Sequence, residues 1–245
     1  MRLSTLNLLQ INLATAFYAL ILPAGNITGI IARFYRMSRH EPNYAAIAVA
    51  LALERLAATL TLCLIGIAAW LADWPAEWPA LVLMLGALAA MLALFASLFA
   101  TAPPLTRLRN RLGRWWPGRL TSLREALRHT RDLSRGVVAR VLALGILTHG
   151  LGIAAYALVA SALDLDLSLA TIAWTRSAAV LIAILPISVA GLGVREGVMV
   201  VLLAPYGIAA ADALTYALLA FATTILAVGL VGGLLEAVRL LRGQR

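Results

Sequence analysis

The sequence predicts an all-α polytopic membrane protein with about four full spans, two re-entrant helical hairpins entering from opposite faces, and the outline of an inverted repeat. Three observations carry this prediction. Of 245 residues, 62% are hydrophobic and only 13% charged, where a soluble domain would carry about 25% charged residues; the mean hydropathy is +0.92. Several apolar runs exceed the roughly 18 residues that mark a membrane-spanning helix. Two proline–glycine breaks, PAGNITG at 23–29 and PISVAGLGVREG at 186–197, lie in surroundings too apolar for ordinary water-exposed loops.

Residues 3 to 22 are apolar but carry Asn7, Gln10 and Asn12. No clear small-residue cleavage site follows, so the stretch reads as a retained helix rather than a signal peptide. Proline lacks the amide donor and glycine holds no fixed backbone angle, so neither break continues an undisturbed helix. After the first, with Pro23, Gly25 and Gly29, comes a short segment bearing Arg33, Arg36 and Arg39 at three-residue spacing. Such arginines lie on neighbouring parts of one helix face, and Arg39 above all suits a positive-inside anchor.

Residues 43 to 71 form a long apolar helix interrupted only by Glu54 and Arg55, and Trp70, Trp74 and Trp78 at its end suit an interfacial aromatic belt. Residues 79 to 102 make the next span, stopped by Pro103 and Pro104. Between Arg107 and Arg140 stand ten of the twenty arginines, and RLTSLREALRHTRDLSR within that stretch can form an amphipathic surface helix on Leu123, Leu127 and Leu133. The positive-inside rule places this loop, 103–140, in the cytoplasm. That assignment orients everything else. Residues 141 to 162 run outward, the acidic LDLDL at 163–167 lies outside, and 168 to 185 go in. Residues 197 to 205 rise only about 14 Å, half of a ~30 Å hydrocarbon core, so they make one arm of a hairpin turning at Pro205, Tyr206 and Gly207. The last run, 210 to 238, ends at Arg239, Arg242 and Arg245, which makes the C-terminus cytoplasmic. The whole reads as a single transmembrane domain, 1–245, in a bacterial inner (plasma) membrane.

The second break holds Pro186, Ser188, Gly191 and Gly193 and then Arg195 beside Glu196. Irregular backbone and charge at membrane depth are tolerated only inside protein or along a water-filled cavity. Glu54 and Arg195 both come out roughly 16 Å deep, near the bilayer centre. Four buried charges would cost on the order of 10 kcal/mol at about 2.5–3.5 kcal/mol apiece, so they need partners. Neighbours in sequence do not face one another on a helix, and the expectation is cross-pairing, Arg55 with Glu196 or Arg195 with Glu54. Such a cluster either binds substrate or only locks helices together. Arg176 either faces the cavity or snorkels outward, and outward is the favoured reading. His149 reads as a packed, hydrogen-bonded histidine. Asn12 and Asn26 could bond between helices or line a site, and Ser188 could contact substrate or satisfy a freed carbonyl.

All twenty basic residues are Arg, giving a net charge of +9; the absence of Lys reads as codon usage in a GC-rich genome. Membrane topology accounts for the positive loops, so no nucleic-acid partner is inferred. The single Cys63 permits no internal disulfide and no metal cluster. There is no Asp-rich metal motif, P-loop or nucleophile elbow, and no cofactor is expected.

LPISVAGLGVREG resembles the signature region of the lysylphosphatidylglycerol synthase/flippase transmembrane family, the flippase-like domain. LPAGNITGIIARFYRMSR followed by LALERLAATLTL is similar to its first re-entrant region and the ER-containing helix after it. The resemblance runs across most of the chain in the right order. It implies that Pro186, Ser188, Gly191, Gly193, Arg195 and Glu196 match one motif and Glu54 and Arg55 the other. Relative to that family the sequence is expected to be a short or N-terminally clipped version, without two initial helices and without the aminoacyl-transferase domain. The acidic residue some members carry after the first glycine-rich turn has no counterpart in TGIIAR. The resemblance implies holding or flipping a lipid, a membrane phospholipid or polyprenyl-phosphate lipid, rather than making one. Arg33, Arg55 and Arg195 would meet its phosphate. The competing readings are a subunit of a membrane glycosyl- or prenyl-lipid transferase, and a non-transporting scaffold whose protein partner docks on the Arg-rich loop.

Overall fold

A computed structural model of the chain describes residues 4–22, 25–40, 42–75, 78–99, 134–184 and 192–241, the side chains of 25–27 and 94–99 excepted. Among them no strand occurs. The helices are α1 (Thr5–Ile21), α2 (Gly25–Ser38), α3 (Tyr44–Asp73), α4 (Trp78–Phe99), α5 (Arg135–Ala162), α6 (Leu169–Ala183), α7 (Val194–Leu203), α8 (Ala210–Phe221) and α9 (Ala227–Leu241). A single π turn, Ala222–Leu226, joins α8 to α9. The architecture is the all-α membrane type that hydropathy predicts: α3, α5 and the combined α8–α9 are long and apolar enough to cross a bilayer. Helix starts carry their expected caps. Ser4, Asn43, Ser134 and Ser168 each accept the amide three residues on.

Two pairs of short helices form hairpins, and they open toward opposite ends of α3. The first is α1–α2. Ile11 and Leu8 early in α1 pack with Met37 and Phe34 late in α2 and with Ile47 and Leu51 at the start of α3. The second is α6–α7. Its open end is tied to the other end of α3, where the Asp73 carboxylate accepts hydrogen bonds from Thr171 Oγ1 (3.0 Å), Ser168 Oγ (3.2 Å), Trp174 Nε1 (2.8 Å) and the Tyr206 hydroxyl. Burial, and after it the Asp73 hydrogen bond, push the Tyr206 hydroxyl up to about 12.

Close helix approach rests on small residues, as in membrane interiors where packing rather than hydrophobicity draws helices together. The α1–α9 seam is the tightest. A Cβ on Gly232 would stand 1.9 Å from the Leu13 carbonyl oxygen, and one on Gly233 2.6 Å from the Phe17 ring. On the α3–α6 face, Gly66 would meet Ser177 Cβ at 2.7 Å. Helix α6 is accordingly lined with buried Thr171, Ala173, Thr175, Ser177, Ala178 and Ala179.

The two ends differ in charge. Arg36 and Arg39 at the end of α2, Arg135 at the start of α5 and Arg239 near the end of α9 share the end where α1 begins. Asp73 and the 163–167 turn share the other. Two expectations change here. Trp70 is fully buried, its ring packed at a tilt 5.2 Å from that of Trp78 and 5.6 Å from that of Trp74, so only exposed Trp74 and Trp78 can form an aromatic belt. Gly29 does not break the backbone: α2 begins at Gly25 and runs through it, and a Cβ there would sit 3.0 Å from Ala19 Cβ. Its small size lets α2 close on α1. Pro23, Pro186, Ser188, Gly191, Arg242, Arg245 and the amphipathic stretch in the Arg-rich loop lie outside the described residues.

Candidate functional site

The two hairpins meet where the start of α7 lies beside α1. Gly193, at φ +81°, supplies the left-handed turn that starts α7. Arg195 follows in its first turn and is 6% exposed, a level at which an arginine side chain is rarely found without a partner. It forms no ion pair among the described residues, and its Nε has no hydrogen-bond partner there. Its guanidinium lies 5.8 Å from the Phe221 ring centre, a cation–π contact. Arg195 also lines a cleft of about 250 Å³ with Ala16, Ala19 and Leu20 of α1, Thr224 and Ile225 of the π turn, and Val228 of α9. A π turn shifts the hydrogen-bonding pattern of a helix by one residue, and such turns recur at functional sites.

Glu196 is 3% exposed, yet it meets neither Arg55 nor Arg195. Its Oε2 reaches back to the Gly193 amide at 2.6 Å, leaving Oε1 unpartnered. The carboxylate thus satisfies one of the free amides at the start of α7 and complements the helix dipole. Glu54 pairs with Arg33, Oε1 to Nη1 at 2.7 Å, across α2 and α3. The expected cross-pairs, Arg55–Glu196 and Arg195–Glu54, are therefore not formed. The Glu54 side chain is 53% exposed in the bundle and Arg33 22%, and Arg55, also exposed, has no ion pair among the described residues. Asn12 is exposed on α1, and the Asn26 side chain lies outside the description.

The surroundings of Arg176, Glu236 and Asp73 differ from, or are absent from, what the sequence predicts. Arg176 does not snorkel outward. Its guanidinium lies in the notch of Gly152, where an added Cβ would be 2.2 Å from Nη2, and 5.5 Å from the Tyr156 ring centre. His149 is packed as expected: its Nε2 donates to the Ala58 carbonyl at 2.9 Å, bridging α5 to the middle of α3. At the basic end, Glu236 accepts from Arg36 and, at 3.1 Å, from the Tyr18 hydroxyl, and Arg36 also lies over the Tyr18 ring at 5.6 Å. Asp73 centres the hydrogen-bonded cluster at the other end of α3. The only signals available for these residues were isolated charges inside apolar runs, which show that a partner is needed without showing which.

Long apolar helices, opposed hairpins and buried charged side chains mark a polytopic all-α membrane protein. The chain belongs to the lysylphosphatidylglycerol synthase transmembrane-region family, whose model matches residues 1–232. The expected relationship is thereby established, and with it a membrane lipid-related role in general terms. Neither the curated proteins nor the solved structures contain a match to the chain.

Proposed function

We propose that the protein is a lipid translocase, or a lipid-binding transporter, in which a polar headgroup enters the cleft between the hairpins while the acyl chains stay in the bilayer. One observation carries this reading: Arg195, buried and without an ionic partner among the described residues, faces a cleft built jointly by α1, the π turn and α9. An arginine kept there at several kcal/mol of desolvation cost is a functional residue by default, and Arg binds phosphate through several donors at once. Paired interrupted segments in the two halves of a chain point to a transporter's midplane binding site. The Arg33–Glu54 and Arg36–Glu236 pairs serve in this reading to hold the first hairpin against α3 and α9. The basic end faces the cytoplasm by the positive-inside rule, together with the C-terminus. The lipid is a phospholipid or polyprenyl-phosphate lipid.

The test is translocation of a fluorescent phospholipid in reconstituted vesicles. Arg195→Ala abolishes movement while the protein keeps its elution volume and melting temperature in detergent. Movement unchanged in Arg195→Ala would refute the site.

A further inference from the structure

A second cleft opens at the basic end, walled by α1, α2 and α9. Residues three and four apart on a helix share a face. Gln10 and Ala14 of α1 therefore border it together, as do Leu235, Val238 and Arg239 of α9, and Arg36 of α2 and Glu236 complete the lining. Its volume is about 190 Å³, more than ten times the roughly 10–15 Å³ that one buried water needs. A polar group of several heavy atoms fits. The cleft shares no lining residue with the one at Arg195.

The donors around this space are only partly used. Glu236 accepts from Arg36 Nη2 and from the Tyr18 hydroxyl, both through Oε1. Arg36 Nε and Nη1 donate to no described residue, and the Arg36 side chain keeps 16% of its surface accessible, so these donors remain open to a ligand. Arg239 is exposed and has no ion pair among the described residues. Gln10 is exposed on α1, and its amide both donates and accepts. Two positive charges and one negative line the cleft, so a singly charged oxyanion neutralises it. The apolar part of the lining narrows the source. Leu235 and Val238, and Leu9 beside Gln10, are exposed aliphatic side chains and offer acyl chains a surface next to the charged groups. Basic pockets between membrane helices on the cytoplasmic side bind anionic lipid headgroups, and the positive-inside rule assigns this end to that side.

We infer that this cleft is a second lipid site, taking the phosphodiester of an anionic phospholipid from the leaflet at the basic end, with Arg239 and Arg36 on the phosphate and Gln10 on the headgroup beyond it. Glu236 holds Arg36 in position and keeps the net charge of the cleft at one rather than two, which matches a single phosphodiester. The site uses no residue of the Arg195 cleft and does not rest on the translocase reading.

The experiment is titration calorimetry on the purified full chain in neutral detergent, carrying Arg195→Ala so that the other cleft lacks its cation. The probes are dihexanoyl phosphatidylglycerol, dihexanoyl phosphatidylcholine and inorganic phosphate. The expected result is tightest binding of phosphatidylglycerol, weakened about fivefold or more by Arg239→Gln, the loss of one charge-assisted contact, and about twofold by Gln10→Ala. Arg135→Gln is the control: it removes the same charge from an exposed position at the same end, outside the cleft, and leaves binding unchanged. Phosphatidylglycerol binding unaffected by Arg239→Gln overturns the site. Equal weakening by Arg135→Gln overturns it in favour of diffuse surface charge, and phosphatidylcholine bound as tightly as phosphatidylglycerol overturns the anionic class. Inorganic phosphate bound as tightly, with the same dependence on Arg239, supports an oxyanion site and overturns the lipid as its source. No binding of any probe overturns the site. Should Arg195→Ala fail to fold, the Arg239-dependent part of phosphatidylglycerol binding to the parent chain decides. None of these outcomes bears on the translocase reading, which stands or falls on lipid movement in the vesicles.

Discussion

Gly232→Ala tests the seam on which the cleft depends. The added Cβ would stand 1.9 Å from the Leu13 carbonyl oxygen and 2.6 Å from its carbon. Both are backbone atoms, so no rotamer change relieves the clash. A tolerable carbon–oxygen contact is about 3.3 Å, so α1 and α9 must part by more than about 1 Å. Overpacking of a core costs about 1–3 kcal/mol, and a gap of about 1 Å forfeits up to half of each dispersion contact along the seam. Together these place the loss at about 3 kcal/mol or more, against a gain of about 0.5–1 kcal/mol that Gly→Ala otherwise brings in a helix interior. Gly86→Ala in α4 is the control, because nothing lies within 4 Å of its Cβ position. In detergent, thermal unfolding followed by intrinsic tryptophan fluorescence should show Gly232→Ala clearly destabilised and Gly86→Ala equal to or above the parent. Because Ala16, Ala19 and Leu20 on α1 line the Arg195 cleft, the same substitution should also impair translocation in any surviving protein. Equal melting temperatures for the two variants would refute the packing of α1 on α9.

Two further predictions concern the polar ties at the two ends. Glu236→Leu leaves the half-buried Arg36 without its ion-pair partner and should cost up to about 3 kcal/mol, whereas Arg36→Met combined with Glu236→Leu should recover most of it, since a well-packed apolar pair replaces a largely buried ion pair at little cost; melting temperatures of the single and double variants decide this. Tyr206→Phe removes a hydrogen bond to a carboxylate, a loss of about 1.5–3 kcal/mol. The Tyr206 hydroxyl, at about 12 in the folded protein, ionises well above its unfolded value of about 10. The raised value means the contribution is complete below about pH 10 and lost as pH rises toward 12. The stability gap between parent and Tyr206→Phe should therefore hold at pH 8 and shrink in that window, and a gap unchanged at pH 12 would refute the Asp73–Tyr206 tie.

The sequence by itself determined the membrane class, most helix limits to within a few residues, the two short hairpins and the charge difference between the ends; α5 begins at Arg135 rather than at the expected 141. These follow from hydropathy, chain length and broken backbone, which are local properties summed along the chain. Even Arg195 was legible as a buried charge, because the lengths on either side of Tyr206 set its depth. What only the tertiary structure decided is which side chain meets which. A helix turns about 100° per residue, so a partner depends on the rotation of each helix about its axis, and no run of residues reports that rotation. Hence Glu54 goes to Arg33, Glu196 to its own helix start, and Arg176 inward to Gly152 and Tyr156. Depth alone favours other pairings, but the small-residue seams limit how closely the helices approach and so which side chains meet.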